Sequence, residues 1–423
     1  MDELKIRELD GAVVSASKKI KVLSALSWPA GAEEKFLDDW RAGRRSLPSI
    51  SLNIPDLTSN IQLLSDVAKS CDQADPVEKF LHETAVSYAD AARMIMAAGT
   101  TQFTKFSSRI YGRPDSIYKT QGFSAVESAR FFLELTDSLL GNAQIQTPMV
   151  DITADDFATW MKSEVDEFFV HDTVEVMIDQ AMSSKALASS ARIRVRGNAM
   201  FSQLDKDQLL YHEAFVHSAT QLNGKKQTHL QSLGLGAPRT TRTQEGIAVL
   251  AELFTNSMDI ARLRRIALRV IAIQMALEGA NFIDVFEFFL NGGQSEEESV
   301  RSTQRVFRGG AAKDGIVFTK DAMYLQGLLE VHTFFRLAIK ECRPELIRNA
   351  FSGRLTLADT LRLAPLFDSG WLIGPTYVPL WANDLQRLSA ALAYSAFIAN
   401  IRLDKVYLER AIEFEEELKS QVV

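Results

Sequence analysis

A chain of 423 residues is longer than one minimal domain and can bury a large core, and 46% apolar with 24% charged residues excludes disorder throughout. Its formal net charge of −7 argues against a nucleic-acid binder that neutralises many phosphates. The opening Met1-Asp2-Glu3-Leu4-Lys5 is charged where a signal peptide is apolar, and the longest uncharged apolar stretch, 388–401, falls short of the ~20 residues a membrane span needs. Two cysteines, Cys71 and Cys342, make no disulfide framework and fit a reducing compartment, so a soluble cytoplasmic protein is expected.

Apolar periodicity predicts helices over 3–26 and 32–44, a turn-rich patch around Leu47-Pro48 and Ile54-Pro55, then helices near 57–70, 77–98 and 124–140. A helix over 151–169 is entered at Thr153, with Asp155 and Asp156 favourable in its first turn. Two short strands follow, 174–178 and 192–196, and the second alternates charged and aliphatic residues as a half-buried strand should. Further helices are expected near 203–222, 243–257, 260–280, 317–341, 379–401 and 404–420. The fold class is mainly α with a small β-sheet (α+β), read as an N-terminal helical region over 1–150 that packs on a catalytic region over 151–423.

The chemistry concentrates in Tyr211-His212-Glu213-Ala214-Phe215-Val216-His217. Ser202 and Asp205 have capping-box spacing at the start of its helix, and Asn223-Gly224 reads as its close. Zinc peptidases need two neutral imidazoles on one helical face and a carboxylate beside them as general base for a water the metal has acidified. The usual H-E-x-x-H spacing places the histidines four apart; here valine holds that position and the second histidine is the fifth. On an ideal helix, positions 212 and 217 diverge by about 140°. A local π-distortion between Glu213 and His217 is therefore expected, which would bring the rings together.

A third ligand is sought in Thr241-Arg242-Thr243-Gln244-Glu245-Gly246-Ile247-Ala248, where Thr241 and Gln244 have capping-box spacing and put Glu245 in the first turn of a helix. Glu252, seven residues on, shares that face and is placed to support a ligating histidine. His212, His217 and Glu245 would leave a fourth position open, the catalytic pattern, with Glu213 as base. Two histidines and a carboxylate also describe the non-haem iron triad, but the helical setting and the adjacent glutamate favour zinc.

These motifs, with Val195-Arg196-Gly197, Leu222-Asn223-Gly224, Phe318-Thr319-Lys320-Asp321 and Tyr324-x-x-Gly327, resemble the QEGLA-motif family over the C-terminal two-thirds of the chain. Ile247 stands where the name-giving motif has leucine. That family includes bacterial proteins of unassigned role and the microtubule-associated tyrosine carboxypeptidases. The resemblance implies a zincin-like metallopeptidase core, one zinc per chain on His212, His217 and Glu245, and release of a C-terminal residue from a peptide or protein. Relatives act on tubulin, for which nothing in this sequence speaks.

Capture of a terminal carboxylate calls for a cation, and Arg196, Arg239, Arg242 and Lys320 are the candidates. Tyr324, four residues after Lys320, shares its helical face and offers a hydroxyl to an oxyanion. His82, His171, His229 and His332 read as structural or surface residues, and Cys342 as no nucleophile. The alternative of another class is a non-catalytic metal-binding regulatory protein that affects expression of another protein. Against it, Glu213 accompanies all three proposed ligands.

Overall fold

Capping residues set where the helices begin. The computed structural model describes residues 2–117, 122–140, 148–180, 182, 184–310, 312 and 315–398. The helix expected over 404–420 lies outside them, as does the end of the one expected over 379–401. Asp2 accepts from the Leu4 and Lys5 amides and opens helix Glu3–Ser17. Asp75 does the same for helix Pro76–Met96, with Pro76 in the first turn, where its missing N–H costs nothing. Thr153 caps helix Ala154–Phe168, as its sequence indicates.

The expected opening helix is broken into Glu3–Ser17 and Val22–Ala25. Ile6, Leu9, Val13 and Ile20 share one buried stripe; Leu26 would point away from it on a continuous helix, and the break turns Leu26 into a separate core with Phe103 and Phe318. Three long helices are additional to those expected, Thr101–Tyr111, Phe282–Asn291 and Glu296–Val306, as are the short ones Glu345–Asn349, Leu357–Arg362 and Ala364–Asp368. The stretch expected as 317–341 is a 3-10 turn, Thr319–Ala322, leading into helix Met323–Lys340. That expected over 379–401 is a short Leu380–Asn383 turn followed by Leu385–Ile398.

The chain is mainly helical with two small sheets. Strand β1 (Val150–Ile152) pairs antiparallel with β5 (Phe201–Ser202). Strands β2 (Glu175–Asp179), β3 (Ala186–Ala188) and β4 (Arg192–Arg196) form a sheet of order β2-β4-β3, parallel across β2-β4 and antiparallel across β4-β3. Ile193 and Val195 of β4 are fully buried with Phe157, Met161, Val165 and Ala214, which ties the sheet to helix Ala154–Phe168 and to the histidine segment. Strand β3 is left at an edge.

Helix Pro76–Met96 buries Phe80, Leu81 and Ala85 in one core with Ile6, Leu9 and Val13, and also with Leu230, Leu233, Leu355 and Leu372 from far along the chain. Each such large apolar side chain contributes roughly 1.5–3 kcal/mol by leaving water. Phe36 and Leu37 likewise pack among Phe282, Phe286 and Phe307. The N-terminal helices therefore lie on elements that frame the histidine segment.

Candidate active site

The histidine segment is a π-helix, Leu210–Ser218, between α-helical turns Gln203–Leu209 and Ala219–Lys225. The Ser202–Asp205 capping box starts it as expected. With i→i+5 closure, residues five apart stack. The His212 and His217 rings are 4.9 Å apart, edge to face, while Val216 turns the other way into the core. The spacing of five is thus the natural one for this backbone.

Asn223-Gly224 does not close the helix, which runs on to Lys225, and Gly224 is not left-handed. A Cβ on Gly224 would sit 2.2 Å from the Leu233 carbonyl oxygen, so the glycine is required by a close backbone crossing. The Asn223 side chain is buried and bonds the backbone at Phe351, Thr376 and Tyr377.

The second segment also departs from the expected start. Helix Thr241–Phe254 continues from a 3-10 turn, Pro238–Thr240, with no side-chain cap. Thr241 is already helical, and the Gln244 amide instead lies 2.7 Å from the Thr220 hydroxyl, joining the two helices. What places Glu245 is Gly246. A Cβ there would meet the Gly327 carbonyl oxygen at 2.3 Å, and one on Gly327 would meet that of Arg242 at 2.2 Å. Helices Thr241–Phe254 and Met323–Lys340 touch backbone to backbone.

His212, His217 and Glu245 converge, with one ligand-type atom of each within 4.8 Å of the others, all buried. Glu245 Oε2 lies 3.5 Å from His212 Nε2 and 3.6 Å from His217 Nε2, and has no hydrogen-bond partner. Donors bound tetrahedrally to zinc at about 2.0–2.1 Å stand about 3.3–3.4 Å apart, close to these separations. The residues present fit such an ion.

Behind the triad, His212 Nδ1 lies 2.7 Å from Glu252 Oε1, the support expected from the sequence. Glu252 is fully buried and held by Arg262 through bonds of 2.9 and 3.0 Å. Burial alone would raise the Glu252 carboxyl, but Arg262 and His212 bring it down to about 2. Burial would likewise depress His212, yet hydrogen bonds to Glu245 and Glu252 raise it to about 10, whereas His217 is lowered by burial. Glu245, which burial would raise, is held well below the ordinary range by Lys320 and the two imidazoles. Each of these two buried carboxylates is thus matched by a cation, Glu252 by Arg262 and Glu245 by Lys320.

Glu213 Oε2 accepts from the Ala188 amide of β3 at 2.9 Å, so the edge strand borders the site. A cavity of about 480 Å³ is lined by the triad, Ala186–Ala188, Glu213, Lys320, Tyr324 and Arg354, and by Leu23 and Ser24 of the N-terminal helices. A smaller one, about 220 Å³, continues past His212 and Tyr324 to Arg196 and Arg265.

The structure brings some of the proposed substrate residues to this space and leaves others out. Lys320 Nζ is 3.0 Å from Glu245 Oε1 and 5.3 Å from the Tyr324 ring. Its approach is set by helix Thr101–Tyr111, whose Ser107 hydroxyl accepts from the Thr319 amide at 2.8 Å. Tyr324 lines both cavities, with its hydroxyl 3.4 Å from Arg305. Arg196, at the end of β4, lines only the smaller cavity. Arg239 and Arg242 line neither. Arg239 is occupied by Glu83 and the fully buried Asp359, and Arg242 by Glu330 and the Tyr111 carbonyl. Both are diverted by acceptors on elements that their local sequence does not reveal, of which Asp359 is fully buried.

Arg354 stands in no recognisable motif of the sequence. It lines the larger cavity and donates to the His217 carbonyl at 2.9 Å. Burial lowers it to about 10, opposed by the carboxylates of Glu245 and Glu213. Of the other histidines, His82 meets the Ala68 carbonyl, His229 stacks on Trp371, and His171 is exposed. Cys71 and Cys342 are free.

Fold and site together place the molecule in a class, helical proteins with two histidines and a glutamate gathered at a buried cleft. Residues 34–400 match the family model described as microtubule-associated tyrosine carboxypeptidase, and the chain belongs to that family. The match starts well before the C-terminal two-thirds that carries the motifs. No curated protein matches the sequence. Among the described residues, no helix is long and apolar enough to cross a membrane.

Proposed function

We propose that this member of a carboxypeptidase family is a zinc-dependent enzyme that releases single C-terminal residues, with one zinc ion held by His212, His217 and Glu245. The observation that carries the reading is the partnerless Glu245 Oε2, buried between two imidazole nitrogens at separations that suit a tetrahedral ion. Bound there, zinc supplies a Lewis acid that acidifies a water and polarises a carbonyl.

The chain's own groups do the rest. Glu213 takes the proton of the attacking water and delivers it to the leaving amine. Its carboxylate is steadied by the Ala188 amide. Glu252 and Arg262 fix the His212 ring so that Nε2 faces the centre. Lys320 keeps Glu245 ionised, and the Tyr324 hydroxyl is the group proposed to stabilise the oxyanion. The substrate is a peptide or protein C-terminus; tyrosine and microtubules belong to the family's description.

The shared cores support the packing of residues 1–150 on a catalytic region over 151–423. The unpaired cysteines support a reducing, cytoplasmic location.

Peptides with varied C-terminal residues, incubated with wild type and Glu213→Gln and read by mass spectrometry, test the reading. We expect single-residue shortening by wild type, and loss of turnover with retained zinc in Glu213→Gln. Equal activity in the two would remove Glu213 as base. Zinc at one per chain with no cleavage of any peptide would favour a binding role.

A further inference from the structure

Five cations line the larger cavity, and three of them are already matched by carboxylates. Arg194 pairs with Asp179, Arg305 with Asp321 and Lys320 with Glu245. Arg308 and Arg354 have no carboxylate within 4.0 Å among the described residues. Arg308 stands beside Arg305 and Asp321, where a third cavity begins. Arg354 stands at the triad itself: Nη2 donates to the His217 carbonyl, and Nε is buried with no partner.

The backbone under Arg354 is fixed from three sides. Asn223 holds the Phe351 carbonyl at 2.8 Å and Gln227 that of Ser352 at 3.3 Å. The Arg354 amide donates to the Leu233 carbonyl at 2.7 Å, across a crossing so close that a Cβ on Gly353 would lie 3.0 Å from that oxygen. Asn223 and Gln227 belong to the turns that follow the π-helix. The same rigid piece therefore carries His217 and positions Arg354, which is the preorganisation a recognition group needs.

An exopeptidase that counts one residue from the end must hold the terminal carboxylate one residue beyond the scissile carbonyl, about 3.8 Å along the chain from Cα to Cα. Of the two unmatched arginines only Arg354 is bonded to a residue of the triad. Its planar fork suits a carboxylate, and among the described residues no carboxylate lies within 4.0 Å of it, Glu245 and Glu213 acting on it from farther off. We propose that Arg354 is the specificity residue that captures the substrate's terminal α-carboxylate, in place of the candidates Arg239 and Arg242. This rests on the carboxypeptidase reading above.

The test uses the full zinc-loaded chain and paired peptides of one sequence, one ending in a free carboxylate and the other amidated. Wild type should prefer the acid. Arg354→Gln and Arg354→Lys should lower that acid-over-amide preference by about thirtyfold or more, the loss typical of truncating one partner of a buried charge pair, with zinc content unchanged. An unchanged preference in Arg354→Gln, or its loss in Arg308→Gln instead, would overturn the assignment. A merely structural role would slow both peptides alike and leave the preference intact.

Calorimetry with an N-acetyl amino acid and its amide on the Glu213→Gln chain reads capture without turnover. The acid should bind, the amide should not, and adding Arg354→Lys should weaken the acid. If wild type cleaves no peptide while the acid still binds through Arg354, the peptidase reading fails and the capture site stands. Equal binding of acid and amide overturns the capture site, whatever the turnover.

Discussion

His212 and His217 lie five residues apart on one π-helix, yet what stands behind their rings differs. His212 Nδ1 meets Glu252, which Arg262 grips in turn, whereas His217 Nδ1 is buried without a hydrogen-bond partner. His217 is instead braced from its backbone, by Arg354 on its carbonyl. One imidazole is oriented by a chain of charges and the other by packing and the helix. The contrast shows two ways of holding a donor: a carboxylate raises basicity and fixes the ring, while the other ring is held by its helix and by a bond to its carbonyl.

The largest effect expected from breaking this contrast is at Glu252. Glu252→Ala leaves Arg262 buried without its carboxylate and should lower stability by about 3–5 kcal/mol, read by denaturant unfolding. Zinc affinity should also fall by about 10–100-fold. A variant as stable as wild type would mean that the buried pair does not support His212.

Gly246→Ala comes next. The added methyl would press on the Gly327 carbonyl and push Glu245 from its place, at a cost of about 1–3 kcal/mol, visible as a lower melting temperature. Unchanged melting and metal binding would show that the helix crossing yields more easily than its geometry suggests. The smallest effect is expected at Arg242→Gln. Its pair with Glu330 is half exposed, so stability should change by no more than about 1 kcal/mol and peptide turnover hardly at all. A large rise in KM would return Arg242 to the site.

How much of this is written locally follows from the same residues. If both rings are to meet at one centre, the five-residue spacing of His212 and His217 calls for a π-distortion, and Glu252 is legible as a support because Glu245 and Glu252 lie two turns apart. Gly224 misleads because glycine has two uses, a left-handed turn and a close approach, and only the partner strand of chain at Leu233 decides between them. Arg239 and Arg242 stand beside the Glu245 motif, but Asp359 and Glu330 turn them elsewhere. Helices Phe282–Asn291 and Glu296–Val306 carry readable capping signals in Asn281–Asp284 and Ser295–Glu298, obscured by an aromatic run and a glycine pair between them. Arg354 is more than a hundred positions from either motif, and only tertiary packing brings it to His217.

Elemental analysis of the chain purified without added metal tests the central claim most directly. The account predicts one zinc per chain in wild type, retained in Glu213→Gln and lost in His217→Ala and Glu245→Ala. Stoichiometric iron with zinc absent, or zinc that survives removal of Glu245, would contradict it.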